Sequence, residues 1–272
     1  MNSRETYDSQ THANGQEGSQ GWDAIDGALQ TVYGDQQPAH FGTLIKFRLG
    51  GDEPLDGVNV YRSEQGAPHW HYVSYGFSDL YGDLDDSYDI APGKPSGYGF
   101  ELSFRLMRAA SEQEPPSWPV NFLQNIARYV FRTGNVLAPG HWMTANGPIK
   151  ADADTLLTEM GFALDPELPA IHTPYGDLMF LQLVGLTSDE LREVRRWNVQ
   201  GALHSLQSYM PLWITDLARP SLHDLPDVQS AIDAGAAREG SKTGVLYNDV
   251  LGFSHRKRLL RSPQTVIRLG SL

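Results

Sequence analysis

Two aromatic-rich segments constrain this chain most: PHWHYVSYGF at residues 68–77 and YGFELSFRLM at residues 98–107, divided by a Gly-, Pro- and Asp-rich loop at residues 78–97. Aromatic and β-branched side chains suit a pleated surface, whereas Gly, Pro and Asp favour turns, so the pattern predicts two long strands with a long loop between them. Shorter strand patterns precede them, FGTLIKFRLGG from Phe41 and a second at residues 58–62, with a turn cluster at Gly50-Gly51-Asp52-Glu53-Pro54. Four such strands so close in sequence predict one sheet.

Helical periodicity surrounds them. In WDAIDGALQTVYG the residues Trp22, Ile25, Leu29 and Val32 fall on one face, and Gly34 can end the helix. After Pro115-Pro116, the run WPVNFLQNIARYVFRTGN predicts a helix capped by Ser117, with Pro119 in its first turn, Gly134 near its end, and Phe122, Ile126, Tyr129 and Val130 on its buried side. GDLMFLQLVG at residues 176–185 is a continuous apolar strand, and Thr187-Ser188-Asp189-Glu190 starts a helix with acids in its first turn. A further helix is expected at residues 200–209, a short strand LWITD at 212–216 and a last helix at 228–237. Strands and helices in mixed order predict an α+β fold, a mixed β-sheet with helices packed against it.

At 272 residues the chain has room for a sizeable core. Residues 1–20 are polar and predict a disordered leader; 21–250 form the expected domain, and 251–272 a basic tail carrying Arg256, Lys257, Arg258, Arg261 and Arg268. A net charge of −12 argues against nucleic acid as the partner. The absence of cysteine excludes disulfides and thiolate zinc sites and fits a reducing compartment. No apolar run resembles a signal peptide or a membrane span, so the chain is expected to be soluble, cytoplasmic and without a membrane partner.

His69 and His71, two apart on a strand, share a face and present a His-x-His pair to which Glu101 and His141 would add ligands, the basis of a metal-dependent enzyme as the alternative reading. The competing and favoured reading has both histidines hydrogen-bonded and half-buried beside Trp70 and Tyr72. The loop Ser78-Asp79-Leu80-Tyr81-Gly82, followed by Asp83, Asp85, Asp86 and Asp89, reads as a solvated acidic loop in which Asp79 can cap a turn. Nucleophile elbows are missing, and Gly97-Tyr98-Gly99 opens a strand where a dinucleotide fingerprint opens a helix. No catalytic residue and no cofactor are expected.

HWHYVSYGFSDLYG and PSGYGFELSFRL, with the LGG turn before Pro54-Leu55-Asp56, ARYVF from Ala127, HTPYG from His172, FLQLVG from Phe180 and WITD from Trp213, resemble the suppressor of fused family, specifically its N-terminal domain, from Gly21 to about Asp216. The resemblance implies a non-enzymatic protein-binding domain of mixed α and β structure. In animal members this domain and a second one close on an extended peptide of a Gli-type transcription factor, held as an added strand. Tyr129 matches a tyrosine of that cleft, and Asp79 and Tyr81 belong to the hallmark loop; these three are the expected protein-binding residues. The cleft's acidic positions fall on Gly140 and Leu164, so Gli-type peptide recognition does not carry over. Single-domain relatives look bacterial and imply an immunity protein that occludes a toxin domain, a partner to which an acidic body is complementary.

Overall fold

The computed structural model describes residues 19–45, 47–82, 93–241, 252–256 and 264–268. The expected disordered leader up to residue 18 and the acidic run Asp83, Asp85, Asp86 and Asp89 lie outside the described residues. The chain begins with helix α1 (Gln20–Tyr33) and strands β1 (Ala39–Gly42), β2 (Gly57–Ser63), β3 (His69–Tyr75) and β4 (Pro95–Met107). Helix α2 (Trp118–Thr133) follows, then β5 (Trp142–Thr144), β6 (Leu157–Leu164), β7 (Ile171–Thr173) and β8 (Gly176–Thr187). Helices α3 (Ser188–Arg196), α4 (Val199–Leu206) and α5 (Pro226–Glu239) complete the body, and strands β9 (Gly252–Arg256) and β10 (Gln264–Arg268) pair with each other.

One eight-stranded sheet runs in the order β1-β2-β3-β4-β8-β6-β5, with β7 paired to the start of β8. Its central pair β4 and β8 is parallel and the other described pairs are antiparallel, so the sheet is mixed as expected. A parallel pair cannot be closed by a hairpin; the crossover from β4 to β8 carries α2, β5, β6 and β7. On one face α2 buries Leu123, Ile126, Ala127 and Val130 against Tyr72, Phe100, Leu102, Phe104, Phe162 and Leu183. On the other face α1 covers one end, where Trp22 stacks on Tyr75 and Tyr33 on Tyr61 with ring centroids 4.3 Å apart, and α3, α4 and α5 cover the other.

Local signals decided several boundaries. Gly134 ends α2 in the left-handed conformation at φ 71°, and its N–H donates to Val130 O. Thr187 caps α3 through a complete capping box with Glu190, as the spacing predicts. The HTPYG motif is the β7–β8 hairpin, with Thr173 opposite Gly176.

Three expectations are corrected. The strand pattern from Phe41 stops at Gly42: β2 begins opposite it at Gly57, so residues 44, 45 and 47–49 lie beyond the ladder. Phe47–Leu49 instead forms a short 3-10 helix, with Leu44 and Leu49 exposed. LWITD is not a strand, because Leu212 and Trp213 take φ of 52° and 51°, which extended backbone excludes; Thr215 alone bridges to Leu106. Tyr129 lies at the exposed edge of α2 and not on its buried side. Strands β5, β6 and β7 were not expected.

Trp197 holds α3, α4 and α5 together. A Cβ at Gly201 on α4 would lie 2.4 Å from its indole, and one at Gly235 on α5 would lie 2.3 Å from it. In Gly235→Ala the gain in helix propensity is about 1 kcal/mol, whereas overpacking against a ring that Gly201 confines costs about 1–3 kcal/mol. We therefore expect Gly235→Ala to lower the urea midpoint despite being the better helix former; a raised midpoint would show that the ring has room to move.

Candidate functional site

Between the part of the sheet covered by α1 and the part covered by α3–α5, the apolar face is interrupted by a buried polar network. Arg105 on β4 is fully buried. Its guanidinium donates to both oxygens of Asp165, at 2.6 Å and 2.9 Å, to Gln182 Oε1 on β8 at 2.6 Å and to Glu167 at 2.9 Å. Ser103 donates to the same Asp165 carboxylate. Burial by itself raises the Asp165 carboxyl, but the charge of Arg105 and the His71 imidazole outweigh it and hold the group well below the usual carboxylate range. Asp165 remains an anion buried with its counter-charge, the arrangement in which removal of one partner is far more costly than the pair is stabilising.

His71 belongs to this network. Its Nε2 lies 3.2 Å from Asp165 Oδ2, close enough for charge attraction but outside hydrogen-bond geometry, and Nδ1 shares a hydrogen bond of 2.6 Å with the Tyr33 hydroxyl. His69 engages Ala67 O through Nδ1 at 2.7 Å, and its Nε2 is sealed without a hydrogen-bond partner. Desolvation pulls both imidazoles down to about 4; Arg105 adds to the effect, and Asp165 opposes it. Glu101 is occupied elsewhere, accepting from Ser74 Oγ, Gly76 N, and both the N–H and Oγ of Ser78. Burial raises its carboxyl against those donors.

The proposed metal ligands are therefore not assembled. His71 is bonded to Tyr33 through Nδ1 and turns Nε2 toward the Asp165 carboxylate that Arg105 already occupies, the Glu101 oxygens are filled by neighbouring donors, and His141 is exposed in a separate groove. Among the described residues, no group of three or more His, Asp and Glu is placed to hold a metal. The two-apart spacing is real, but it serves the interior.

The network's outer end shapes that groove, a concavity of about 760 Å³ between the end of β6, the loop before β5, and α4. Ala163 and Leu164 form one wall, immediately before Asp165; Pro139, Gly140 and His141 form a second; Trp197, Gln200, Gly201 and His204 form the third, with Trp213 and Glu239 completing the lining. Gln182 connects network to groove: its Nε2 donates to Leu212 O at 2.9 Å and Trp213 O at 3.2 Å, within the turn at positive φ. Two consecutive non-glycine residues in that conformation are strained and persist only where their surroundings fix them. Here Gln182 and the bond from Trp213 Nε1 to Leu203 O, 2.9 Å, fix them and present the Trp213 ring to the groove.

Of the residues expected to bind protein, Tyr129 is 37% exposed on α2, its hydroxyl accepting from Asn135, and does not line the groove. Gly140 and Leu164 do line it. Asp79 is buried and caps its turn as expected, accepting from the N–H groups of Tyr81 and Gly82. Tyr81 donates to Asp56 and accepts from Trp22, tying the loop to α1. Trp213, Trp197 and His204 were not anticipated; the only signal for them was aromatic and histidine placement around a WITD segment that resembled a strand.

Residues 51–220 match the family model described as suppressor of fused protein. The suppressor of fused homolog of Mus musculus is 37% identical over 234 residues, which span 81% of this chain and 48% of that protein, so the chain spans about half the length of that relative. The crystal structure of Drosophila suppressor of fused superposes with a TM-score of 0.78 at 32% identity, over 93% of this chain and 61% of that one. A chain from a Sufu–Fu complex superposes with a TM-score of 0.72 at 34% identity, over 79% of this chain and 98% of that one.

The buried histidines set the acid response. Their folded pKa values of about 4 lie below the unfolded value of about 6.5, so the native state binds fewer protons and its stability is complete above pH 6.5. As pH falls from about 6.5 to 4, each loses about 1.4 kcal/mol per unit. Asp165, depressed in turn, releases its contribution only at lower pH. Urea unfolding between pH 7.5 and 4.5 is expected to show a stability slope approaching two protons, reduced by up to one in His71→Gln; equal slopes in the two proteins would remove His71 from the account.

Proposed function

The chain belongs to the suppressor of fused family, and from that premise we propose that it is a non-enzymatic protein-binding domain whose groove takes up a segment of a partner protein. The observation that carries this reading is the groove itself. It joins apolar and aromatic surface, including the 53% exposed Leu164 and the indole of Trp213, to walls held by buried hydrogen bonds. A preformed concavity of this kind lowers the ordering cost of association. Its ionisable lining residues, His141, His204 and Glu239, are not arranged as a nucleophile with its base, and Glu239 accepts from Trp197 Nε1. The similar Sufu chain found in a complex with Fu supports protein binding as the kind of activity.

The narrower form of the proposal is an immunity protein acting in the cytoplasm, which neutralises a bacterial toxin domain by occluding its surface. The net charge of −12 supports a basic partner, since opposite charge speeds encounter and excludes acidic competitors. Tyr129, exposed on α2, and Tyr81 are assigned as contacts outside the groove, with buried Asp79 supporting the latter by fixing its turn. No helix among the described residues is long and apolar enough to cross a membrane.

A photo-crosslinking amino acid at His141 tests the groove, with the same group at Glu64, exposed and outside the lining, as control. A discrete adduct with one protein is expected from His141 and not from Glu64, and Leu164→Arg should reduce it at least about tenfold, the loss of one well-packed apolar anchor. Equal labelling from both positions, or an adduct insensitive to Leu164→Arg, would show that the groove does not bind the partner. For the toxin reading, co-production with a basic toxin domain should restore growth with the wild type and fail with Leu164→Arg; rescue by both would contradict groove-mediated neutralisation.

A further inference from the structure

Resting on the groove's role as a protein-binding site, we propose that the partner enters it by a short uncharged segment whose anchor is a large apolar side chain, with the partner's charges held outside. Among the described residues the groove lining holds no Lys, Arg or Asp. Its one carboxylate, Glu239, is already matched: Trp197 Nε1 donates to it at 3.0 Å, Asn198 Nδ2 at 3.4 Å and the Arg238 guanidinium at 2.7 Å. A charged side chain entering the groove therefore loses water without gaining a counter-charge, which is a net penalty.

What the groove offers instead is apolar. Leu164 is 53% exposed on one wall, and Trp213, Pro139 and Ala163 extend that surface. Gly140 has φ of 94°, a conformation that side chains rarely adopt, and a Cβ built there would meet nothing nearer than Gln200 Oε1 at 4.0 Å. The second wall is bare at that point and leaves depth for an anchor. An apolar or aromatic side chain that fills such a depth is the kind of contact that dominates binding energy.

The polar part of the lining fits the same segment. His141, Gln200 and His204 are exposed there, and two imidazoles and an amide both donate and accept hydrogen bonds without a fixed charge, which suits the N–H and C=O groups of a peptide backbone. At about 760 Å³ the groove has the size of a pocket that encloses a compact ligand, so a few residues of the partner enter it and the rest of the partner faces the surrounding body. The net charge of −12 acts across that body, where it speeds encounter with a basic partner, while the neutral groove selects which segment docks.

Selection of short random peptides, displayed on phage, against the full chain at pH 8, where histidine is ordinarily neutral, tests this. Binders that crosslink to a photo-reactive group at His141, and not to one at Glu64, define the groove population. Within it, one peptide position is expected to hold Leu, Ile, Met, Phe or Trp at least about tenfold more often than Lys, Arg, Asp or Glu. Leu164→Asp and, on another wall, His204→Glu each place a carboxylate at an exposed lining position. Either variant should move the preference at that peptide position toward Lys and Arg by a similar factor, about tenfold. Two variants are used so that one remains if the other does not fold. A charged residue at the common position in the wild-type population, or an unchanged preference in a folded variant, would overturn this inference and leave the groove standing as the binding site. A selection in which no binder crosslinks at His141 would overturn the groove reading, and this inference with it.

Discussion

The guanidinium of Arg105, enclosed between β4 and β8, is the interaction on which the rest of the structure depends. A cation that has lost its water is tolerable only if its donors are matched, and here Asp165, Gln182 and Glu167 match four of the donor contacts at 2.6–2.9 Å. The acceptors come from two parts of the chain: Asp165 and Glu167 from the segment after β6, Gln182 from the middle of β8. Satisfying one charge therefore fixes the register of the parallel pair against its antiparallel neighbour. It also draws in His71, and through Tyr33 it reaches α1.

The groove inherits its shape from that charge. Leu164 precedes Asp165, so its position on the wall is set by the ion pair one residue away. Trp213 sits in a turn with unfavourable φ that Gln182 holds by accepting from Arg105 on one end of its amide and donating to two carbonyls on the other. A polar core of this kind contributes less to stability than to uniqueness, because an apolar replacement would leave both the β6 terminus and the strained turn free to choose other arrangements. The histidines that invited a metal reading lie buried and neutral beside this network, His71 3.2 Å from Asp165 and His69 bonded to Ala67 O, at the cost of stability in acid.

Much of the fold was legible in the sequence where one element carries its own signal. The capping box at Thr187 and Glu190, Gly134 at the end of α2, the apolar run of β8 and the aromatic strands β3 and β4 are local patterns, and the structure contains each of them. The misses share a cause, a dependence on partners distant in the chain. The segment from Leu44 to Leu49 alternates like a strand, but residues 47–49 form a short 3-10 helix, and LWITD, apolar and β-branched like a strand, is bent where Gln182, about thirty positions earlier, bonds its carbonyls. In β6 the alternation is broken by a register shift between Leu157 and Glu159, which hid the strand that lies between β8 and β5. The groove was legible only at two positions that the resemblance singled out, Gly140 and Leu164, both of which line it. Nothing in the sequence placed Trp197 or Trp213 beside them, since that proximity exists only once α4 and the strained turn are docked.

The account's central claim is that the buried Arg105–Gln182 relay holds the groove in its binding shape. The most direct measurement is fluorine NMR of the six tryptophans, labelled with fluorotryptophan, in the wild type and in Gln182→Leu, which keeps the β8 volume but removes both amide contacts. The account predicts that the Trp213 resonance shifts and broadens while Trp118, packed with Phe104 and Phe122 under α2, does not move. An unchanged Trp213 resonance in a folded Gln182→Leu protein would contradict it, because the turn would then stand without the network said to hold it.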